Sequence, residues 1–299
     1  VIFSLIRLFA DSLTADSLIS IFEGAPMLRA VVIQLEALTA GTLPAANGRE
    51  VHGLWFHHWQ TVDRALADQL HADQRQCPFT LSPLLGLGAP QHGQLAVAPG
   101  ASAWFRVTTL TAELSQRLEE AWLPRLPETV MLGPLPWRVT GLATTPAAHP
   151  WADSRAQEAL AVEHLLNADP PRQWHLHFAT PTAFHSAGGH LPFPLPGALI
   201  GSWLRRWQAF GPVALPEDLA DLAQQRVLIS SYRLHTVPVR EGQRTTIGCV
   251  GDLTVSAPAL RLGERAMLDL LAAYAFWAGS GHHTPQGLGV TRLLPPAGS

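Results

Sequence analysis

The chain of 299 residues contains no lysine; all 20 of its basic residues are arginine. No lysine can serve as proton donor, nucleophile or mobile phosphate anchor, so cationic roles fall to arginine's planar fork or to histidine. Cysteine is nearly as scarce. Cys77 and Cys249 stand far apart, which offers neither a disulfide framework nor a zinc-ligand spacing and fits a reducing cytoplasm. Charged residues make up 14% of the chain and the formal net charge is −3. That balance excludes broad polyanion binding, so any nucleic-acid site must be local. The apolar opening, Val1 to Pro26, is interrupted by Arg7, Asp11 and Asp16 and has no basic lead. It reads as an extension ahead of the core, neither targeting segment nor membrane span. H-E-x-x-H and G-x-x-x-x-G-K-[ST] are both absent, which argues against a zincin protease and a P-loop.

What is present is enough apolar material, 47% of residues, for two domains of ordinary size. Leu28 to Leu38 reads as a first strand and Gly41 to Arg49 as a break. Val51, Leu54, Trp55, His58, Trp59 and Val62 then recur at helical spacing, with a second segment running to His71. Pro78 to Pro83 reads as a short strand, Gly93 to Ala98 and Ala101 to Leu110 as a hairpin around Pro99-Gly100, and Thr111 to Trp122 as a helix capped by Thr111. Val130 to Leu132 and Trp137 to Leu142 complete a strand-helix-strand-strand-helix-strand order, that of a ferredoxin-like module.

Thr144 to Ser154 reads as a linker, and the order then repeats. Gln157 to Leu166 is a helical lead-in, Trp174 to Ala179 a strand and Pro196 to Phe210 a helix. A long hairpin (Val227 to Val239, Arg244 to Ser256), a helix (Leu262 to Trp277) and a last strand (Val290 to Leu294) follow. The expected fold is α+β: two tandem ferredoxin-like (RRM-like, βαββαβ) domains, residues 27–145 and 155–299, behind an extension of residues 1–26. Near the end, Gly279, Gly281, Gly287 and Gly289 form two Gly-x-Gly pairs five residues apart, after a helix and before a strand. Such a loop brings backbone amides close to a ligand, and a phosphodiester chain is one candidate.

That loop resembles the late Gly-Φ-Gly, five residues, Gly-Φ-Gly phrase of the CRISPR-associated endoribonucleases that cut repeat RNA from a precursor transcript, the Cas-six family of the RAMP superfamily. It departs only in Ser280 at the first apolar place. Pro181-Thr-Ala-Phe-His185, the proline-rich run to Pro196, Leu204-Arg-Arg-Trp207 and Thr246-Ile-Gly-Cys-Val-Gly251 resemble further phrases of that family, in the same order. The resemblance runs from about Met27 to Pro295. It implies a metal-independent endoribonuclease needing no cofactor, acting in the cytoplasm as monomer or homodimer. Its partners would be CRISPR repeat RNA and other CRISPR effector subunits. A repeat-RNA-binding subunit of the same fold that does not cut is the alternative.

RNA cleavage without metal needs a base for the 2′-hydroxyl, an acid for the departing 5′-oxygen and cations for the phosphate. Among 14 histidines, two fit these roles. His52 stands at the start of the first helix where many relatives keep a catalytic histidine, with Arg49 beside it as a third catalytic candidate; His71 stands in a phrase similar to the family's Leu-His, polar residues, Pro-Phe-Thr. Some relatives add a tyrosine and a lysine, but those places read Phe56 and Cys77 here, with Arg75 the nearby cation. Expected RNA contacts are Arg75, Arg205, Arg206, Arg240, Arg244, the four loop glycines, His282 and His283. His175 and His177 share a strand face, yet no acidic or cysteine ligand stands at metal spacing, and no metal cluster is expected.

Overall fold

The computed structural model describes residues 27–72, 76–186, 189–241 and 244–295. Residues 1–26 and Arg75 therefore lie outside the described residues, and the Arg244 side chain is likewise not described. The first unit is built on β1 (Met27–Ala37), whose alternating and then continuous burial marks a central strand. β3 (Phe79–Leu81), β5 (Ser102–Thr109), β6 (Thr129–Leu132) and β7 (Leu135–Ala143) join it in the antiparallel order β3-β5-β1-β7-β6. The short strand β8 (Asp153–Ala156), at the end of the segment read as a linker, also pairs with β1.

Two helices, α1 (Gly48–Val62) and α2 (Arg64–Ala72), cross this sheet. Val51, Trp55 and Trp59 form the buried stripe of α1, each at 1% exposure or less. Each such side chain contributes roughly 1.5–3 kcal/mol on burial, against about 1 kcal/mol for a good N-cap. The helix in fact lacks a side-chain cap. Asn47, at its start, instead accepts from the Leu84 amide at 2.6 Å and donates to the Pro44 carbonyl at 3.2 Å. Packing holds α1, and Asn47 is left to tie the chain beyond β3 to it. Thr111 does cap α3 (Ala112–Arg117), as its sequence suggests, and a π-helical turn (Leu118–Trp122) continues that helix.

One pairing expected from the sequence is corrected. β4 (Gln94–Val97) does not pair with β5 but with β2 (Gly41–Pro44), inside the stretch read as a break. The reason is edge availability: β5 is bonded to β1 on one side and β3 on the other, so no free edge remains for β4.

The second unit holds β9 (Gln173–Thr182), the hairpin β12 (Leu228–Glu241) and β13 (Arg244–Ser256), and β14 (Thr291–Leu294) in the order β12-β13-β9-β14. Helices α4 (Gln157–Leu165), α5 (Pro196–Phe210), α6 (Leu219–Arg226) and α7 (Leu262–Ala278) belong to this half, and a small hairpin, β10 (Phe184–Ser186) with β11 (Gly189–Leu191), precedes α5. Central strands beginning each unit, with the second and third strands on one side and the fourth on the other, make both sheets ferredoxin-like.

The two units share an apolar seam. Leu28, Ala30 and Leu110 of the first enter the apolar core of the second. Thr108 and Thr80 hydroxyls donate to the Trp277 carbonyl at 2.7 and 3.3 Å, taking up an orphan carbonyl at the end of α7. Arg106 lies across the same seam, 4.1 Å over the Phe276 ring and donating from Nε to the Trp151 carbonyl at 2.8 Å. Burial pushes its guanidinium down to about 9, partly opposed by Asp153. Among the described residues no helix is long and apolar enough to cross a membrane.

Candidate active site

A cleft of about 500 Å³ opens between the two units, lined from one side by His52, Phe56 and His71 and from the other by Arg205, Arg206, His185 and the glycine loop. The helix turn explains the first wall. Val51 points into the core, so His52, some 100° further round, faces outward, half-buried. Phe56 follows four residues on, on the same face, its ring 4.8 Å from that of His52 and 5.5 Å, edge-on, from that of His71. The phenylalanine thus stands between the two imidazoles and packs behind them on buried Phe79 at 6.0 Å. It spaces the histidines but brings no hydroxyl. His71 ends α2 and is exposed.

Burial first, then the charges of His71 and Arg49, hold the His52 imidazole below its ordinary range. That shift favours the unprotonated imidazole, which can accept a proton. Arg49 lines a separate recess of about 70 Å³ with Val237, Pro238 and Val239, toward the turn end of the long hairpin. Arg240, further along β12, is exposed.

On the second wall, Arg205 is exposed toward the cleft and Arg206 is half-buried. Nη2 of Arg206 donates to the Thr284 hydroxyl in the glycine loop. Its Nη1 is buried with no hydrogen-bond partner among the described residues, a donor that a bound anion would satisfy. The pair is therefore unequal: one exposed cation and one anchored fork.

The glycine loop is held closely by the rest of the fold. Its amides are largely engaged internally: Ser280, His282 and Gly289 donate to the carbonyls of Gly289, Ala183 and Pro181 at 2.8, 3.0 and 3.0 Å, and Gly281 donates to the Ser202 hydroxyl at 3.2 Å. The glycines also meet a steric demand of the fold. A Cβ at Gly281 would lie 2.1 Å from the Ala183 carbonyl oxygen and one at Gly289 2.0 Å from that of Ser280, both at positive φ. Gly287 approaches Gly48 at the start of α1, where a Cβ on Gly48 would lie 2.0 Å from the Gln286 carbonyl oxygen. The loop is thus a backbone-to-backbone clasp between the units, and Gly279, at φ 68°, opens it. Ser280, the departure from the family phrase, is buried and accepts from Trp203 Nε1 at 2.9 Å and Thr291 Oγ1 at 2.8 Å.

A stability difference should follow. Gly281→Ala is expected to cost roughly 2–5 kcal/mol, from left-handed strain of about 1–2 kcal/mol and overpacking of about 1–3 kcal/mol. Gly53→Ala, in a helix with nothing within 4 Å of the added carbon, should be neutral or stabilising by up to about 1 kcal/mol. Urea midpoints measure both. Equal midpoints would contradict the close packing of Gly281 on Ala183.

His282 and His283, both expected to contact RNA, part company. His283 lines the cleft in the left-handed region, with Nδ1 3.0 Å from Gln286 Oε1. His282 is buried, which pushes its imidazole down to about 3, and it is stacked on His185 at 4.6 Å with Nε2 3.0 Å from His190 Nδ1. The expectation that no metal-ligating cluster exists is corrected here: one ring nitrogen from each of His185, His190 and His282 lies within 4.8 Å of the others. Linear spacing gave no sign of it, because a hairpin and a distant loop bring the three together. His175 and His177, by contrast, bond to Thr254 at 3.0 Å and Asp252 at 2.7 Å across β13.

The family comparison agrees with this architecture. Residues 27–161 match the family model of the CRISPR Cas6 N-terminal domain, and residues 176–291 that of the CRISPR-associated endoribonuclease Cas6. Among solved structures, a Cas6 product complex is 32% identical, with 90% of this chain and 100% of that one covered and a TM-score of 0.71. The chain belongs to the Cas6 endoribonuclease family. A second Cas6 product complex is 30% identical over 90% of this chain and 100% of that one, TM-score 0.73, and Thermus thermophilus Cas6 is 29% identical over 90% and 99%, TM-score 0.69. A RAMP protein binding different RNA substrates, 11% identical over 89% of this chain and 100% of that one with TM-score 0.59, shares the fold. Comparison with curated protein sequences found no match. Within the Cas6 fold, the cleft described above lies where the two ferredoxin-like units face each other.

Proposed function

We propose that this chain cleaves CRISPR repeat RNA in precursor transcripts to release guide RNA, using the RNA's own 2′-hydroxyl as nucleophile and no metal ion in the chemical step. The observation that carries this reading is the single cleft lined by His52 and His71 from one side and Arg205 and Arg206 from the other. Related structures include Cas6 product complexes and a Cas6 substrate mimic complex, the last 31% identical over 90% of this chain and 99% of that one, TM-score 0.68.

In the proposed step, neutral His52 takes the 2′-hydroxyl proton as that oxygen bonds to phosphorus. The bond from phosphorus to the 5′-oxygen breaks, and His71 supplies the proton that the departing oxygen needs. A 2′,3′-cyclic phosphate and a 5′-hydroxyl remain, and solvent returns both imidazoles to their starting states. Arg205 and the unpartnered Nη1 of Arg206 hold the non-bridging oxygens, where charge builds in the transition state. Arg49, Arg75, Arg240, Arg244 and His283 contact flanking RNA, which crosses between domains of residues 27–145 and 155–299. The glycine loop shapes that path.

Purified protein mixed with its own repeat RNA in excess EDTA is expected to give two fragments, the upstream one ending in a cyclic phosphate. RNA that is bound but never cut would point to a holding subunit instead.

A further inference from the structure

Three histidines unused by the proposed step converge at one edge of the cleft. His185 and His190 face each other across β10 and β11, as register partners, and His282 comes from the glycine loop. His190 Nδ1 and His282 Nε2 are 3.0 Å apart, the His185 and His282 rings are stacked at 4.6 Å, and one ring nitrogen from each of the three lies within 4.8 Å of the others. In a tetrahedral zinc site with bonds of about 2.0–2.1 Å, ligand nitrogens are about 3.4 Å apart. Small side-chain rotations would reach that spacing.

We propose that His185, His190 and His282 form a binding site for one divalent transition-metal ion of the zinc class, clamping the β10–β11 hairpin to the glycine loop. The donor set selects the metal. Three imidazole nitrogens with no carboxylate suit zinc, nickel, copper or cobalt and not the oxygen-seeking magnesium or calcium. A second observation also points to a ligand: His282 is buried, and among the described residues the one hydrogen-bond contact of its ring is Nε2 to His190 Nδ1, inside the cluster itself, while Nδ1 on the other ring edge has none. Buried imidazole so poorly satisfied by protein groups is costly to keep without a further partner.

Position gives the site a use. His185 and His282 also line the cleft, whereas His190 does not, so three protein ligands would leave the fourth coordination place toward the cleft, for water or an RNA phosphate oxygen. In a chain with no lysine, the ion would add positive charge to the wall that carries Arg205. It would act in gripping RNA and fixing the loop, apart from the proton transfers at His52 and His71.

The test is calorimetric titration of Zn²⁺ into the full chain after EDTA treatment and removal of the chelator. Wild type is expected to take up one equivalent, with His190→Ala weakening it at least tenfold and His57→Ala, an exposed histidine elsewhere, leaving it unchanged. Cobalt(II) should show the visible spectrum of a tetrahedral nitrogen site in wild type and lose it in the variant. If His190→Ala does not fold, His190→Gln gives the same comparison. Equal affinity in wild type and variant, or no uptake beyond that of scattered surface histidines, overturns the site. The outcome is separate from the cleavage reading: cutting in EDTA at saturating protein tests that one, and metal uptake tests this one.

Discussion

Alanine at His52 should slow single-turnover cleavage by roughly a hundred- to ten-thousand-fold, the span for removing a proton-transfer group. His71→Ala should cost less, because His71 is exposed and water can reach the departing oxygen in its place. The pH dependence separates the two roles. A general base works only when unprotonated, so the rate should fall as pH drops through the His52 pKa. Burial, His71 and Arg49 all lower that pKa from its ordinary value of 6.5, so activity should persist to lower pH than an ordinary imidazole would allow. His52→Ala should flatten that acidic limb along with the rate, while RNA binding stays near wild type. Wild-type rates in both variants would remove the histidines from the chemistry.

The second large effect concerns the opposite wall. With Arg205 and Arg206 both replaced by alanine, repeat-RNA affinity should drop and its salt dependence should flatten. Each phosphate contact on single-stranded RNA contributes about −0.7 to the slope of log affinity against log salt, so two lost contacts should reduce it by about 1.4. Arg206→Lys should rescue only part of the loss, because an ammonium cannot both donate to Thr284 and offer a second N–H in the fork's plane. An unchanged slope in the double variant would take this helix off the RNA path.

Much of the fold was legible because its elements carry strong local signals. The helix Pro196–Phe210 has its apolar stripe, an N-terminal proline and a following Gly211, and its observed bounds match the expected ones. Thr111 signalled a cap that the structure contains. Pairing was less legible, since β4 carries the alternation of a strand but nothing local says that both edges of β5 are taken. The glycine loop shows a different limit. Absent Cβ atoms permit close approach, but sequence does not say whether the approaching group is a ligand or, as at Gly281 and Gly289, the protein's own backbone.

At the site, His52, His71, Arg205 and Arg206 were each readable from phrases around them, and they do share a cleft. What the residues alone did not reveal was the division of labour. Arg206 reads as a solvated helix residue until Thr284 appears beside it, and His282 reads as a phosphate-contacting loop residue until its neighbours bury it. Convergence of His185, His190 and His282 depends on a register and a loop contact that no local pattern encodes.

The central claim is that the RNA supplies the nucleophile from its own 2′-hydroxyl. The most direct test is single-turnover cleavage, at saturating protein and in excess EDTA, of repeat RNA carrying one deoxyribose at the nucleotide before the cut. The unmodified RNA should be cut in EDTA at the usual rate, and the substituted RNA should bind with nearly unchanged affinity yet remain intact. Cleavage of the deoxy-substituted RNA, or failure to cut the unmodified RNA once EDTA is present, would contradict the account.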